Sequence, residues 1–574
     1  MQRRIFATLA IMCLTGCPYT EGCDALVDAP ANGPTVDGDS GPVEPVDSGI
    51  SPETSDDVVA NDARPDGGGP KAFIDFGTDP VGGPALSTLS CPDLSMPTYP
   101  ATVHVDANAT GAEDGTKAAP YQSLEKAFTN AGEGGVVWVA AGTYRENLTI
   151  PDKDLVVYGG FAAGFATRTN ACVTIIEAAV DTEAVLSADS TVRSFGLEGA
   201  WVRKGSRGLS VAGDPKAPGE LTIARSVFTE NGNNAAVGGG IALDGVNARI
   251  FRSVFRDNKA SKGAGLSGGG RVTLTIDQNL FERNIGYSDH GGGIYLSAKL
   301  SKVHRNTFKS NATGVGIPAG FGGNWGGAAI VYNNSDTEPA RGEFSFNVFT
   351  DNVAGIGAGI FVDEAATVTM SHDLFYRNRS YVENGFIRGG AIYADGTGFA
   401  GGGSTFIGEY LTVVNNNLDE NGAARAASQA FGGNIYVEGF SKATVTNSIF
   451  WNNGDNGFYV EANNELSVST SVGVPGCTSS NSMGFIPASA TICKIGVGVF
   501  QPAAVYFGDE ATNDYHEQST AGRYSKGGWV LDALTSPAID KADPLITVGA
   551  EPMPNGNRAN LGVFARTTEA SKSP

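Results

Sequence analysis

The sequence predicts an all-β solenoid, a parallel β-helix, and three observations carry that prediction. An apolar residue, two solvent-type residues and an asparagine recur eight times between Phe228 and Asn453. A glycine pair leading into an apolar residue falls between the copies, ending in Ile241, Leu266, Ile294, Ala329, Ile360, Ile392 and Ile435. Successive phenylalanines are 26 or 27 residues apart at the shortest and 41 where a loop is inserted. A unit of that length cannot bury its own apolar face, so neighbours must stack.

The first motif starts at Phe228, Phe255, Phe281, Phe308, Phe349, Phe375, Val414 and Phe450, the Val414 copy ending at Asn417. Five residues earlier runs a second apolar column, from Ile223 to Val445, with Glu409 as its one break. Two residues before each Phe runs a polar column: Ser226, Ser253, Asn279, Asn306, Asn347, Asp373, Thr412 and Ser448. Asparagine tolerates the left-handed conformation of a tight turn, and its amide can bond an identical amide one rung away. Each such bond is worth about 1 kcal/mol net. The buried Phe and Ile columns supply most of the stability.

Read from the N-terminus, residues 1–16 form a signal: Arg3 and Arg4 precede the apolar run Ile5 to Leu14, and Leu14-Thr15-Gly16-Cys17 resembles a bacterial lipobox. That resemblance implies cleavage before Cys17 and acylation of Cys17. The chain is then expected on the bacterial cell envelope, at the outer membrane or cell surface, touching membrane through its lipid alone. Residues 17–95 read as a disordered tether, since Pro18 to Ser90 holds 14 acidic and 2 basic residues among Pro, Gly and Ser. This segment carries more than half of the formal net charge of −22, and the acidic balance argues against nucleic acid as a partner. Five cysteines remain after Cys17. Cys477 and Cys493 are the expected disulfide, in a short loop outside the repeats, while Cys91 is within reach of Cys172.

Residues 96–465 are expected to form the β-helix with its N-terminal cap, a short helix over Ser123 to Ala131. There Ser123 is the N-cap and Leu124, Ala127, Phe128 and Ala131 share a face. Residues 466–574 are expected to close the other end, using Trp529, Val530 and a strand at Ser536 to Asp540, with His516 in a structural role. Capped ends suit a monomer.

The pairing of FxxN with GGxI resembles the repeats of chlamydial polymorphic membrane proteins. More broadly it resembles right-handed parallel β-helix proteins of the pectate-lyase-like superfamily. Val105 to Ile150, with VAAGTYRE at Val139 to Glu146, is similar to the N-terminal start of many secreted bacterial β-helix proteins. Asn513 to Ser571, with SPAID and NGNRANL, is similar to their C-terminal module, departing from it at Val563 to Arg566. The resemblance implies the fold. It leaves activity open among lyases, hydrolases, esterases, adhesins and binding proteins.

Strand alternation from the glycine pair places Phe361 and Asp363, Tyr393 and Asp395, Tyr436 and Glu438, and Tyr459 and Glu461 outward on four consecutive rungs. Stacked rings suit a sugar face, and Asp363, Asp395, Glu438 and Glu461 in file suit a hard cation such as calcium. The bland alternative is that the rings cover one another. Long loops bearing Phe321, Trp325, Arg379, Arg388 and Arg425 enter the same strands and could wall a groove there, so Trp325 and Arg388 join the expected ligand-binding residues. Asp289-His290 is the nearest approach to an acid/base pair, with His290 expected in a loop. No Ser/His/Asp set, zinc spacing or phosphate loop appears. The expected function is therefore binding of a polysaccharide or another cell-surface ligand without catalysis. The rivals are a calcium-assisted polysaccharide lyase or hydrolase of acidic glycans, and a structural adhesin or spacer.

Overall fold

The computed structural model describes residues 91–574, apart from 189–191, 215, 315–323, 335–338, 381–386, 397–401, 418–429, 432, 454–456, 462, 474–476 and 481–491. The signal, Cys17 and all but the last residues of the expected tether lie outside that range, as do Phe321 and Arg425.

Each coil lays down a strand after its glycine corner, a second strand, and a short third strand carrying the phenylalanine. Ile241–Asp244, Asn247–Phe251 and Val254–Arg256 are one such set. Corresponding strands pair in parallel with the next coil, as in Val254↔Leu280 and Phe255↔Phe281. The third strands build an 11-stranded parallel sheet from Gly142–Arg145 to Ile449–Trp451. The first and second strands run through a 24-stranded sheet, and five short strands after the asparagines form a further side.

Two stacks hold the register. Phe228, Phe255, Phe281, Phe308, Phe349 and Phe375 lie ring on ring at 4.4–5.2 Å, each contact worth about 0.5–1.5 kcal/mol beyond its buried area. Beside them the amide of each ladder asparagine donates to the next. The ladder runs Asn231, Asn258, Asn284, Asn311, Asn352, Asn378, Asn416 and Asn453, with Nδ2 to Oδ1 distances of 2.8–3.2 Å. The left-handed residue is the one before each asparagine, from Glu230 (φ 57°) to Asn452 (φ 48°), so the asparagine's role is the ladder bond and not the turn.

One copy sits a residue earlier than its sequence spacing suggests. Val413 pairs with Phe375 and Phe450, so the ladder uses Asn416 and not Asn417. The break expected at Glu409 disappears with this shift, because Gly408 aligns with Met370 and Val445. A β-carbon at Gly408 would stand 2.6 Å from Leu411, whose side chain takes the space of the missing column residue. Leu411 thereby takes the polar column's place and Thr412 leaves it. Asp373, one rung below, accepts from the Asn347 amide at 2.9 Å, while its second oxygen is buried without a partner.

At the N-terminal end, Leu124–Asn130 forms the helix, with the Ser123 side chain accepting from the Lys126 N–H at 3.2 Å. Glu146 accepts the N–H groups of Leu124 and Glu125, and Leu124, Ala127, Phe128 and Ala131 enter the main core. A disulfide joins Cys91 to Cys172. The chain just after Cys91 is tied down as well, since the Leu94 N–H donates to the Thr169 carbonyl. The backbones of Cys477 and Cys493 begin or lie in strands, but their side chains, and so the expected bond between them, fall outside the described residues.

At the other end parallel pairing continues past residue 465, through Cys477–Ser480 and Ile492–Ile495 to the bridge Val472↔Phe500. The C-terminal module lies against the flank of the solenoid. Leu561, Val563, Ala538 and Tyr515 form one core with Leu374, Tyr410, Val414 and Ile449. The Val563 N–H donates to Thr412 Oγ1, the Gly562 N–H donates to the Asn447 carbonyl, and His372 Nε2 meets the Ala565 carbonyl at 3.1 Å. Ser536 to Asp540 makes turns, not a strand, and Trp529 and Val530 form an exposed hairpin with Arg523–Ser525. The module packs on the apolar side wall that the last coils offer.

Burial raises the Asp373 carboxyl to about 7, against the hydrogen bonds from Asn347. Its raised folded value means that stability falls as pH climbs from the ordinary Asp range through 7. Asp373→Asn supplies a neutral isostere and the missing amide. It should stabilise the protein by a few kcal/mol at pH 8 and have little effect at pH 4, checked by denaturant melts at both. Equal effects at the two pH values would refute this account of the column.

Candidate functional site

The strand after each glycine corner turns one file of side chains away from the core. Its register runs Ser210, Ala242, Ser267, Tyr295, Ile330, Phe361, Tyr393, Tyr436 and Tyr459. The sequence correctly places these residues outside the core column, but the aromatic half is not a surface. Tyr393 is 0% exposed and Phe361, Tyr436 and Tyr459 are 1–3% exposed. Each ring covers the next: Phe361–Tyr393 at 5.1 Å, Tyr393–Tyr436 at 4.7 Å and Tyr436–Tyr459 at 4.7 Å.

Two of the expected loop residues do border this stack. Trp325 stacks on Phe361 at 5.3 Å, and the Arg388 guanidinium lies 5.8 Å from the Tyr436 ring centre. His290 closes the row by stacking on Trp325 at 4.6 Å. It is buried at the end of the strand Ile285–His290, not placed in a loop. Arg379 is exposed on the neighbouring side.

The expected metal ligands bend inward as well. The Asp363 carboxylate accepts the Glu364 N–H and that of Asp395 accepts the Gly396 N–H, both at 2.7 Å, each closing the turn after its own strand. Tyr393 donates its hydroxyl to Glu438, and Tyr436 donates to Glu461 at 2.5 Å. Among the described residues no group of three or more His, Cys, Asp or Glu is arranged to hold a metal ion. Hydroxyl donors from Tyr393 and Tyr436 answer two of these acids. Burial and then Asp363 lift Asp395 to about 7, and burial and then Asp395 lift Glu438 to about 8. Burial opposes the Arg388 charge, but Tyr393, Tyr436 and Glu438 outweigh it and hold the guanidinium charged.

Toward the N-terminus the same file shrinks to Ser267, Ala242 and Ser210, and a cleft of about 560 Å³ opens over them. Tyr295 stands at its end, its hydroxyl joined to the Asn334 side chain at 3.2 Å and its ring near Lys262. The adjoining file supplies Ala212, Asp244, Gly269 and Ser297 in register. Arg207, Arg271 and Lys299 line the cleft, with Asp244 as the carboxylate among the lining residues. Tyr295 and Asp244 lie N-terminal to the four rungs singled out from the sequence. The missing bulk between them was the signal.

Glu438→Gln tests the buried half. Stability from a Glu with a raised folded value is present below the ordinary Glu range and lost as pH rises through about 8. The variant should therefore melt higher than the parent at pH 9 and close to it at pH 5, with the Gln carbonyl still accepting from Tyr393. A variant less stable at both would show that Glu438 is ionised in the fold.

The family described as right-handed β-helix region matches residues 175–399. No curated protein matches the chain. Among solved structures, pectin methylesterase from carrot is 11% identical, with 69% of this chain and 94% of that one covered and a TM-score of 0.25. A pectate lyase is 15% identical over 81% of this chain and 97% of the other, at a TM-score of 0.30. The catalytic unit of a thermostable α-1,3-glucanase from Streptomyces thermodiastaticus is 15% identical over 71% and 69%, at 0.31. Together with the parallel pairing of its coils, the family match makes this chain a right-handed parallel β-helix.

Proposed function

We propose that this chain is a lipid-anchored β-helix of the bacterial cell surface that binds a glycan in the lateral cleft without transforming it. The cleft's lining carries the reading: three cations and one carboxylate around a floor of serine, alanine and glycine, on a chain of net charge −22. Such a rim attracts an acidic chain and the floor offers hydrogen bonds to its hydroxyls. Glycoside hydrolysis ordinarily needs two carboxyl groups flanking the bond, and the lining residues include only Asp244. The buried rings take no direct part. Tyr393→Ala would remove two stacking contacts and cost about 3–5 kcal/mol, so it tests folding and not binding.

The test is binding of the purified ectodomain to alginate, hyaluronate and dextran at low and high salt. Alginate or hyaluronate should be retained, less so at high salt. Arg271→Glu with Lys299→Glu should weaken retention about tenfold or more at an unchanged melting temperature. Absence of retention on all three would leave the spacer reading. Release of unsaturated sugar or new reducing ends would make the protein an enzyme.

A further inference from the structure

The floor of the cleft lacks one side chain, at Gly269. Asp244, Gly269 and Ser297 occupy the same position on three successive strands, with the glycine in the middle. A β-carbon at Gly269 would stand 3.0 Å from Ser297 Oγ and 3.6 Å from Asp244 Oδ1. Two oxygens from the flanking rungs therefore converge on the space that any other residue would fill. Gly270, next along, has φ 93°, and a β-carbon there would be 2.8 Å from the Gly245 nitrogen, so the backbone bend beside the notch requires glycine. Gly269 has no such requirement. Its φ lies outside the left-handed region and its near neighbours are the Ser297 hydroxyl and the Asp244 carboxylate, so alanine there requires Ser297 to give by a few tenths of an ångström.

We propose that this notch is a subsite for a single sugar residue, in which Asp244 accepts two neighbouring hydroxyls and Ser297 orients one of them. A carboxylate has two acceptor oxygens and no donor, which matches a vicinal diol. With no side chain at Gly269 between them, both oxygens lean toward one point and can reach hydroxyls of the same sugar residue. Tyr295 hydroxyl and Arg271 stand at the rim, where the next residues of the chain would pass. This inference rests on the glycan reading of the cleft and narrows it from a charged groove to one that requires an intact diol.

The experiment compares three probes: alginate, dextran, and alginate whose diols have been cleaved by periodate and reduced with borohydride, which keeps the carboxylates. The parent protein should retain alginate or dextran and lose the cleaved polymer by about tenfold or more. Gly269→Val, which fills the notch, and Asp244→Asn, which keeps its shape, should each lose the intact polymer to a similar degree at an unchanged melting temperature. Gly269→Ala should lie between. If parent protein holds the cleaved and intact polymers equally, or if Gly269→Val binds as the parent does, the subsite is refuted while the glycan reading stands. Retention of neither intact polymer, nor of hyaluronate, overturns both.

Discussion

A buried amide has to be answered, and in this fold the answer to each asparagine is the same asparagine one coil away. The ladder from Asn231 to Asn453 lies in the interior, where an unmet donor or acceptor costs about 1–3 kcal/mol. Each amide from Asn258 to Asn416 both accepts from the coil before and donates to the coil after. A slip of one residue in any coil would strand two neighbours and turn that coil's apolar column outward. The eight left-handed residues before the asparagines are tolerated because the ladder fixes the chain on their far side. Ring stacking then follows: once the register is set, the phenylalanines can only fall on one another.

The coil around Val413 shows that the ladder outranks the rings. It has no phenylalanine at the stacking position, it follows a long insertion, and it ends in three asparagines, Asn415 to Asn417. Counting from the nearest apolar residue selects Asn417. The structure selects Asn416, which leaves Gly408 in the core column, Leu411 in the slot of a polar residue and Thr412 free to hold the C-terminal module. Sequence could not decide between adjacent asparagines because the deciding term is a bond to residues 38 and 37 positions away. Elsewhere the repeat was legible in full, since every copy repeats the same requirement.

Burial of the aromatic file was less legible, for a different reason. Alternation tells which side of a strand a residue occupies, and that part of the reading agrees with Tyr393, Tyr436 and Tyr459. Whether the side is wet depends on neighbours in the next rung. Rings at a coil's spacing shield each other's faces, and Trp325 and Arg388 arrive from long insertions that carry no repeat signal. The acids meet the same condition. A carboxylate file in water repels itself modestly, but under a roof of rings it must take up protons or hydroxyl donors, as Glu438 and Glu461 do from Tyr393 and Tyr436. The C-terminal module's partner surface, the outer side of Leu374, Val414 and Ile449, exists only once the coils are stacked, so no local pattern points to it.

The buried stack and the open cleft are two outcomes of one rule, that each coil places one side chain at each position of the file. Where that side chain is a ring the file seals itself, and where it is serine, alanine or glycine the file becomes a trough whose depth equals the missing side chain. Tyr295 is the junction. One side of its ring belongs to the cluster of His290 and Tyr332, while its hydroxyl reaches Asn334 at the cleft's end. The stack therefore fixes where the trough stops, and a ligand along the axis would meet a wall that packing, not a loop, holds in place. Such a device changes its specificity by exchanging single side chains along the file while the ladder beneath stays constant. It follows that the chemistry of this protein resides in the positions its repeat does not constrain.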